Sequence, residues 1–571
     1  MLNWINWIKW GEKETAEITN HDTVYIILYI IIAYFLFISI HSSDSNEIIG
    51  NISIVVGLVG LLIALLGISS SSKKMTEMQV DYWNARGIDD NSKGAEYNKQ
   101  NDYDKAAIAY EHAIDAFDKA SKLDPQYAKT WSNRGNALLA RKKYYKAINA
   151  FDYAIELDPQ SPKTWNNKGL AHRELGQVLA GQNETYNAKI EYYKAIRAFD
   201  EAIKRDRELS YVWNNKGGVL QELGDIFKRE GDPVYQEGYA LYSDDIYADC
   251  NYEEAIKCYE EAIKLDPNFA FFWYNKGNAL FAKGDYDFAI QAYDRAIELS
   301  PKSTQIWFAK GKALQSYNYE HALSAYNKAI EFDPQNIAAW NQKGIILDTQ
   351  GEYDEAFQAY NKAIEINPQD EAVINNMGKI YLMIGEYDKA VKYFNKAIEI
   401  NRKYGPAWRN KALTLSQCAR YQEASDTYDE AFKAGIKINS KDWRVIGDIL
   451  SKWNKYDEAI NAYDKAIELD QNDVLSWSNK GATFCNLERY SEAFKCFNRA
   501  NGIDPENAIA WQNKGVVLEI LARHDDSQGR YDESQRKHRL AQNSFKKAKQ
   551  LGYDGEILSS GHFDLWSWSW F

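Results

Sequence analysis

The residues of this sequence best equipped for specific polar contacts are asparagines recurring in one register: Asn133, Asn167, Asn215, Asn275, Asn376, Asn410, Asn479 and Asn513, with Gln342 in the same place. A carboxamide offers one acceptor oxygen and two N–H donors, so it can meet both polar groups of a peptide backbone. A row of them suits a surface that grips an extended segment with little regard to its side chains. The same spacing serves a second use, in which each asparagine bonds a neighbouring helix and orders the stack. The residue just before each is more varied: Asn166, Asn214, Tyr274, Phe308, Asn341, Asn375, Arg409 and Arg444. Such variety predicts that different stretches of one groove read different things. The residue just after is mostly cationic, as at Arg134, Lys168, Lys216, Lys276, Lys310, Lys343, Lys411, Lys480 and Lys514. Here the expectation is a stem packed on the next repeat with its ammonium in water, a basic row selecting acidic partners being the alternative.

Catalytic chemistry has no comparable pattern. The eight histidines are scattered, and no H-E-x-x-H pair, phosphate-binding glycine loop or dinucleotide fingerprint occurs. Acidic residues recur in the repeat register and read as solvated helix faces. Cys250, Cys258, Cys418, Cys485 and Cys496 form no C-x-x-C pair and no metal-finger spacing, as suits buried thiols in a reducing compartment. No catalytic residue, metal or cofactor is therefore expected, and the chain reads as a non-enzyme. A net charge of −13 argues against nucleic acid as the partner.

The elements that position these residues follow from a period of mostly 33 to 35 residues. In Ala270 to Ser303, Trp273 is fourth, Gly277 eighth, Leu280 eleventh, Tyr286 seventeenth, Ala289 twentieth, Tyr293 twenty-fourth, Ala296 twenty-seventh and Pro301 thirty-second. The frame returns twelve times, its fourth residue being Trp83, Trp131, Trp165, Trp213, Trp273, Trp307, Trp340, Ile374, Trp408, Trp443, Trp477 and Trp511. Positions 4, 8 and 11 share one face of a first helix, and positions 20, 24 and 27 one face of a second. Small residues, such as Gly135, Gly169 and Gly344 at position 8 and Ala147 and Ala154 on the second helix, let the two touch while aromatic rings fill the gaps. Prolines such as Pro159, Pro267, Pro334, Pro368 and Pro505 end each second helix. One hairpin cannot bury its own apolar face, but stacked copies can, so the fold class is an all-α solenoid.

This pattern resembles the tetratricopeptide repeat (TPR) over about residues 80–552. The resemblance implies a right-handed superhelix whose first helices line a concave groove for peptides or protein segments. The asparagine row resembles that in the repeat region of O-linked N-acetylglucosamine transferases. Position 7, leucine in the family, is Lys or Arg here. The family's carboxylate clamp is not supported: Asn136 and Asn167 match two of its places, but Ser132 stands where it needs Lys. Four repeats are lengthened. From position 4 to position 24 is normally 20 residues, but Trp83 to Phe117, Trp165 to Phe199 and Trp511 to Phe545 are each 34. Split evenly, the excess adds two turns to each helix without rotating its buried face. The Trp213 repeat gains 26 residues and is expected to carry a short helix or ordered loop.

Ahead of the repeats, residues 23–40 and 48–68 are apolar and uncharged enough to span a bilayer, joined by an extracytoplasmic loop at 41–47. Lys9, Lys13, Lys73 and Lys74 flank the pair, which predicts a two-pass cell-membrane protein with its repeats in the cytoplasm. Gly50, Ser53, Gly57, Gly60, Ala64 and Gly67 form a small-residue seam for helix packing or self-association. Residues 1–22, with Trp4, Trp7 and Trp10 on one face, read as an interfacial segment, 69–79 as a linker, and 553–571 as an aromatic tail. Together these point to a membrane-anchored scaffold or adaptor that binds proteins or peptides. The alternatives are a self-assembling architectural protein and a chaperone-like factor for secretion or surface-protein assembly.

Overall fold

The structure, a computed structural model, describes residues 71–230 and 248–553 of the chain. The expected membrane pair with its Gly50–Gly67 seam, the interfacial segment and the tail beyond Tyr553 lie outside the described residues, as does the inserted segment 231–247. Among the described residues no helix is long and apolar enough to cross a membrane.

The described residues form twenty-four helices and no strand, paired into hairpins. The chain divides into two bodies, 1–299 and 300–571. The N-terminal body holds α1 (Ser71–Lys99), α2 (Tyr103–Leu123), α3 (Ala128–Ala140), α4 (Tyr144–Leu157), α5 (Pro162–Gly181), α6 (Thr185–Arg205), α7 (Ser210–Glu230), α8 (Ala248–Leu265), α9 (Ala270–Lys283) and α10 (Tyr286–Leu299). The C-terminal body begins with α11 (Thr304–Leu314), α12 (Tyr319–Phe332), α13 (Ile337–Gln350), α14 (Tyr353–Ile366), α15 (Glu371–Met383) and α16 (Tyr387–Ile400). It continues through α17 (Gly405–Gln417), α18 (Tyr421–Lys433), α19 (Ser440–Lys452), α20 (Tyr456–Leu469), α21 (Val474–Asn486), α22 (Tyr490–Ile503), α23 (Ala508–Ser527) and α24 (Tyr531–Gln550). Within each body the second helix of one hairpin packs on the first helix of the next, so each body is a helical solenoid. Residues 71–79, expected as a linker, lie within α1 and contain no Gly or Pro to interrupt it.

Eleven of the twelve hairpins among the described residues are closed by glycine against a ring, and in α17–α18 Ala412 stands in that place. A methyl on Gly135 would stand 2.5 Å from the Phe151 ring, on Gly169 2.6 Å from Phe199, and on Gly344 2.5 Å from Tyr360. No side chain fits there, so the two helices approach until the position-24 ring lies on the backbone. Phe151, Phe199 and Tyr360 are fully buried as a result, and each ring of this size contributes about 1.5–3 kcal/mol by leaving water.

The long hairpins repeat the same lock. α5 and α6 have 20 and 21 residues, against 14 each for α9 and α10. One heptad beyond Gly169 and Phe199, Gly176 meets Tyr192 at 2.6 Å; Gly94 meets Tyr110 and Gly224 meets Tyr252 in the same way. Seven residues are close to two full turns, so the buried face is kept and each tip stands about 10 Å further out. The lengthening is thus shared by both helices, as the spacing predicted. α7 and α8 obey the same rule, which assigns the rest of their excess to 231–247. Cys258, Cys485 and Cys496 are buried, and burial pushes the thiols of Cys258 and Cys496 up to about 12 and about 11; Cys250 is exposed and Cys418 half-buried.

Candidate functional site

Three polar devices join one hairpin to the next, and together they decide which side chains of the first helices stay free. The position-4 indole is the simplest. Trp131 donates its N–H to the carbonyl of Pro125 at 2.9 Å, Trp165 to Pro159 at 3.1 Å, Trp273 to Pro267 at 3.0 Å and Trp511 to Pro505 at 2.9 Å. The proline ends the preceding helix, and the next helix returns a donor to its carbonyl. Arg207 and Arg402 accept from Trp213 and Trp408 in the same place, so the bond needs the turn and not the proline itself.

The position-7 cations are the second device, and they depart from the expectation of ammonium groups in water. Lys168 lies 2.6 Å from Asp152, Lys216 2.6 Å from Asp200 and Lys276 2.8 Å from Glu260. Arg134 with Asp118 and Lys480 with Asp464 form the same pair. In each case the acid sits at position 25 of the preceding repeat, 16 residues earlier. The cations also lie over their own tryptophans, Lys168 5.3 Å from the Trp165 ring centre and Lys514 4.8 Å from that of Trp511. A four-carbon stem is long enough to cross the seam, and there the head finds an acid and a ring face instead of water. Lys343 and Lys514 differ: they donate to the neutral Asn327 (2.8 Å) and Asn498 (2.7 Å), and burial pushes both ammonium groups below the usual lysine value.

The asparagine row is the third. Asn215 donates to Asn166 at 3.0 Å, Asn275 to Asn214 at 2.8 Å, Asn376 to Asn341 at 3.0 Å and Asn410 to Asn375 at 2.9 Å. Position 6 of one repeat thus reaches position 5 of the repeat before. Asn479 reaches Asp448 instead, a buried carboxyl that burial pushes up. Asn167 donates to Asn136 at 2.8 Å, so the two residues that matched the carboxylate clamp are bonded to each other. Asn133 keeps a buried amide nitrogen without a partner, because Asn84, which would have received it, exchanges bonds with Thr130 at 2.8 and 3.0 Å. Asn513 follows a repeat whose position 5 is Ser478 and has no ladder bond. The bonds are those of the stack-ordering reading. Each uses one N–H of the donor, which leaves its second N–H and its oxygen for another group, except at Asn167, whose oxygen accepts from Asn166 at 3.0 Å.

Position 5 is correspondingly divided. Asn166, Asn214 and Asn375 are buried as acceptors. Arg409 forms a two-pronged pair with Asp442, and Arg444 lies 3.2 Å from Asp473, the N-cap of α21. Both arginines are therefore engaged in joining repeats. Tyr274 stays on the open face within an aromatic cluster: Phe271 is 6.0 Å from Tyr274, which is 6.2 Å from Tyr293, while Phe269 is 4.7 Å from Phe272. Phe269 and Phe271 are each about half exposed. Their phenylalanines at the helix start carried no repeat signal, which is why the sequence pointed only to Tyr274. Among the described residues no group of three His, Cys, Asp or Glu could hold a metal ion.

Family models for the tetratricopeptide repeat match residues 128–161 and 447–487, and the model of the cilia and flagella-associated protein 70 C-terminal domain matches 194–442. None of the three is a catalytic family. No curated protein matches the chain. Among solved structures, yeast Tom70 is 15% identical over 78% of this chain and 96% of its own, with a TM-score of 0.37. YrrB, described as a TPR protein with an unusual peptide-binding site, is 22% identical over 37% of this chain and 96% of its own, with a TM-score of 0.28. MamA is 27% identical over 29% of this chain and 99% of its own, with a TM-score of 0.26.

Proposed function

We propose that this tetratricopeptide-repeat protein is a membrane-anchored scaffold that holds extended segments of other proteins against the face of its first helices. The observation that carries the reading is the carboxamide ladder of the N-terminal body, where Asn215 and Asn275 are fixed by one bond each and keep a donor and an acceptor, and Asn167, bonded to both Asn136 and Asn166, keeps one N–H. Amides already held in place lose little freedom on binding, which favours a backbone ligand. Phe271 and Tyr274 beside them offer a place for an apolar side chain of the same segment. Two uncharged stretches at 23–40 and 48–68, flanked by lysines, support anchoring with both ends of the pair in the cytoplasm.

Because the ladder also joins repeats, Asn→Ala changes would confuse binding with stability. The cleaner variant is Phe271→Ala with Tyr274→Ala. Crosslinking from membranes is expected to lose specific partner proteins in the double variant while its helical circular dichroism stays that of the native chain. An unchanged partner set would sink the reading of this face as the working surface.

A further inference from the structure

α3–α4 is, among the described residues, the one regular hairpin with an elongated hairpin on either side. α1 and α5 end 16 residues past Trp83 and Trp165, whereas α3 ends nine residues past Trp131. The difference of seven residues leaves both neighbours standing about 10 Å beyond the α3–α4 turn. α2 packs on α3 and α4 packs on α5, so one layer separates the two tall hairpins. Packed helices lie about 8–10 Å apart, and a missing layer therefore leaves a slot about as wide as one helix with its side chains.

The walls of this slot are apolar where a neighbour would cover them. Glu111 on α2 bonds Arg141 and Lys143 of the α3–α4 turn, and Ile108, one turn nearer the tip on the same side, is 57% exposed. On α5, Leu175 packs into the α3–α4 core, and Val178, one turn further on, is 39% exposed. The same level is filled where two elongated hairpins adjoin: between α5–α6 and α7–α8, Leu223, Ile226 and Phe227 belong to one core, whereas on the slot side Leu179 alone at this level packs on the α3–α4 core. The floor is basic. Of its four cations Arg141 and Lys143 are paired with Glu111, while Lys142 and Lys146 are exposed, in a chain whose net charge is −13.

We propose that this slot docks an acidic amphipathic α-helix of a partner protein. Its apolar stripe would replace the missing layer between Ile108 and Val178, and its flanking carboxylates would meet the lysines of the turn. A hairpin layer two helices wide, about 20 Å, takes a helix of about 14 residues. The site is separate from the first-helix face and stands or falls without it.

A fluorescein-labelled, helix-stapled 14-residue peptide with leucines at i, i+4, i+7 and i+11 and flanking glutamates tests this by anisotropy with the full-length protein. Binding is expected to weaken tenfold or more in Ile108→Glu with Val178→Glu. It should be unchanged in Phe271→Ala with Tyr274→Ala. A second variant lengthens α3 and α4 by seven residues each, copied from the α5–α6 tip, so that the hairpin fills its own slot. Peptide binding should vanish and Tm should rise. No binding by the native protein, binding that survives the filled slot, or loss in the Phe271/Tyr274 variant instead would each overturn the proposal.

Discussion

The seams that lead into two elongated hairpins, α4 against α5 and α22 against α23, are built on one plan and filled differently. At the first, Lys168 meets the carboxylate of Asp152, and Ala171 and Leu175 extend the α3–α4 core. At the second, Lys514 meets the amide of Asn498 in place of a carboxylate. One turn on, where Ile203, Ile263, Ile364, Ile398 and Ile467 stand in other repeats, there is Asn501. It is 5% exposed, and neither its nitrogen nor its oxygen has a hydrogen-bond partner. The hairpin lock is the same on both sides, Gly169 under Phe199 and Gly515 under Phe545. These two hairpins thus share their first lock, while the seams between hairpins are adjusted residue by residue.

The largest effect separates lock from seam. Gly169→Ala and Gly515→Ala place a methyl 2.6 and 2.5 Å from a ring, and overpacking of this kind costs about 1–3 kcal/mol. The two variants should lose similar stability in urea unfolding if the lock is indifferent to its seam. Gly181→Ala, which meets nothing within 4 Å, is the control and should be neutral or slightly stabilising. A Gly515 variant that costs nothing would mean that the last hairpin is not closed by its ring.

Asn501→Ile addresses the seam itself. Two buried groups without partners are replaced by the side chain the other repeats use, which should stabilise by about 1–3 kcal/mol. The reverse change, Ile398→Asn, should cost a similar amount. A destabilised Asn501→Ile would show that the second seam is not the weaker one.

How much of this was legible depended on whether a contact repeats within one hairpin or crosses between two. The glycine–ring lock was readable at Gly135 and Phe151, because both columns recur and their spacing in a hairpin is fixed by helix geometry. The elongation was readable too, since 14 residues divide into whole turns on two helices. The lysine column was misread although its acid stood at a constant spacing of 16, as at Lys168 and Asp152. A side chain considered alone looks like an amphipathic stem, and only the rotation between repeats brings the acid to it. The ladder hid its partners for the same reason: Asn215 uses position 5 of the previous repeat and Asn167 uses position 9.

The smallest effect concerns a lock that titrates. In α5–α6 the second lock is Gly176 under Tyr192, which does not change charge near neutrality. In α23–α24 the corresponding residues are Ala522 and His538. The imidazole bridges two carboxylates of α23, with Nδ1 2.9 Å from Glu519 and Nε2 3.4 Å from Asp526. Glu519 bonding, joined by Asp526, raises the histidine above its ordinary 6.5 despite some opposing desolvation. Arg523, 3.8 Å from Glu519, is the nearby cation that competes for the same acid. A base whose folded-state value is raised adds stability that is complete below the unfolded value. That stability is lost as pH climbs through the folded value, which lies above 6.5. The pair is partly exposed, so the loss should be about 0.5 kcal/mol or less. Amide exchange in α24, corrected for its intrinsic pH dependence, should quicken across that window while α16, which neither carries nor packs against a helix with histidine, stays unchanged. His538→Phe, which restores a ring to the lock, should abolish the pH dependence. Equal pH profiles for α24 in the native protein and in His538→Phe would mean that His538 contributes nothing to closing the last hairpin.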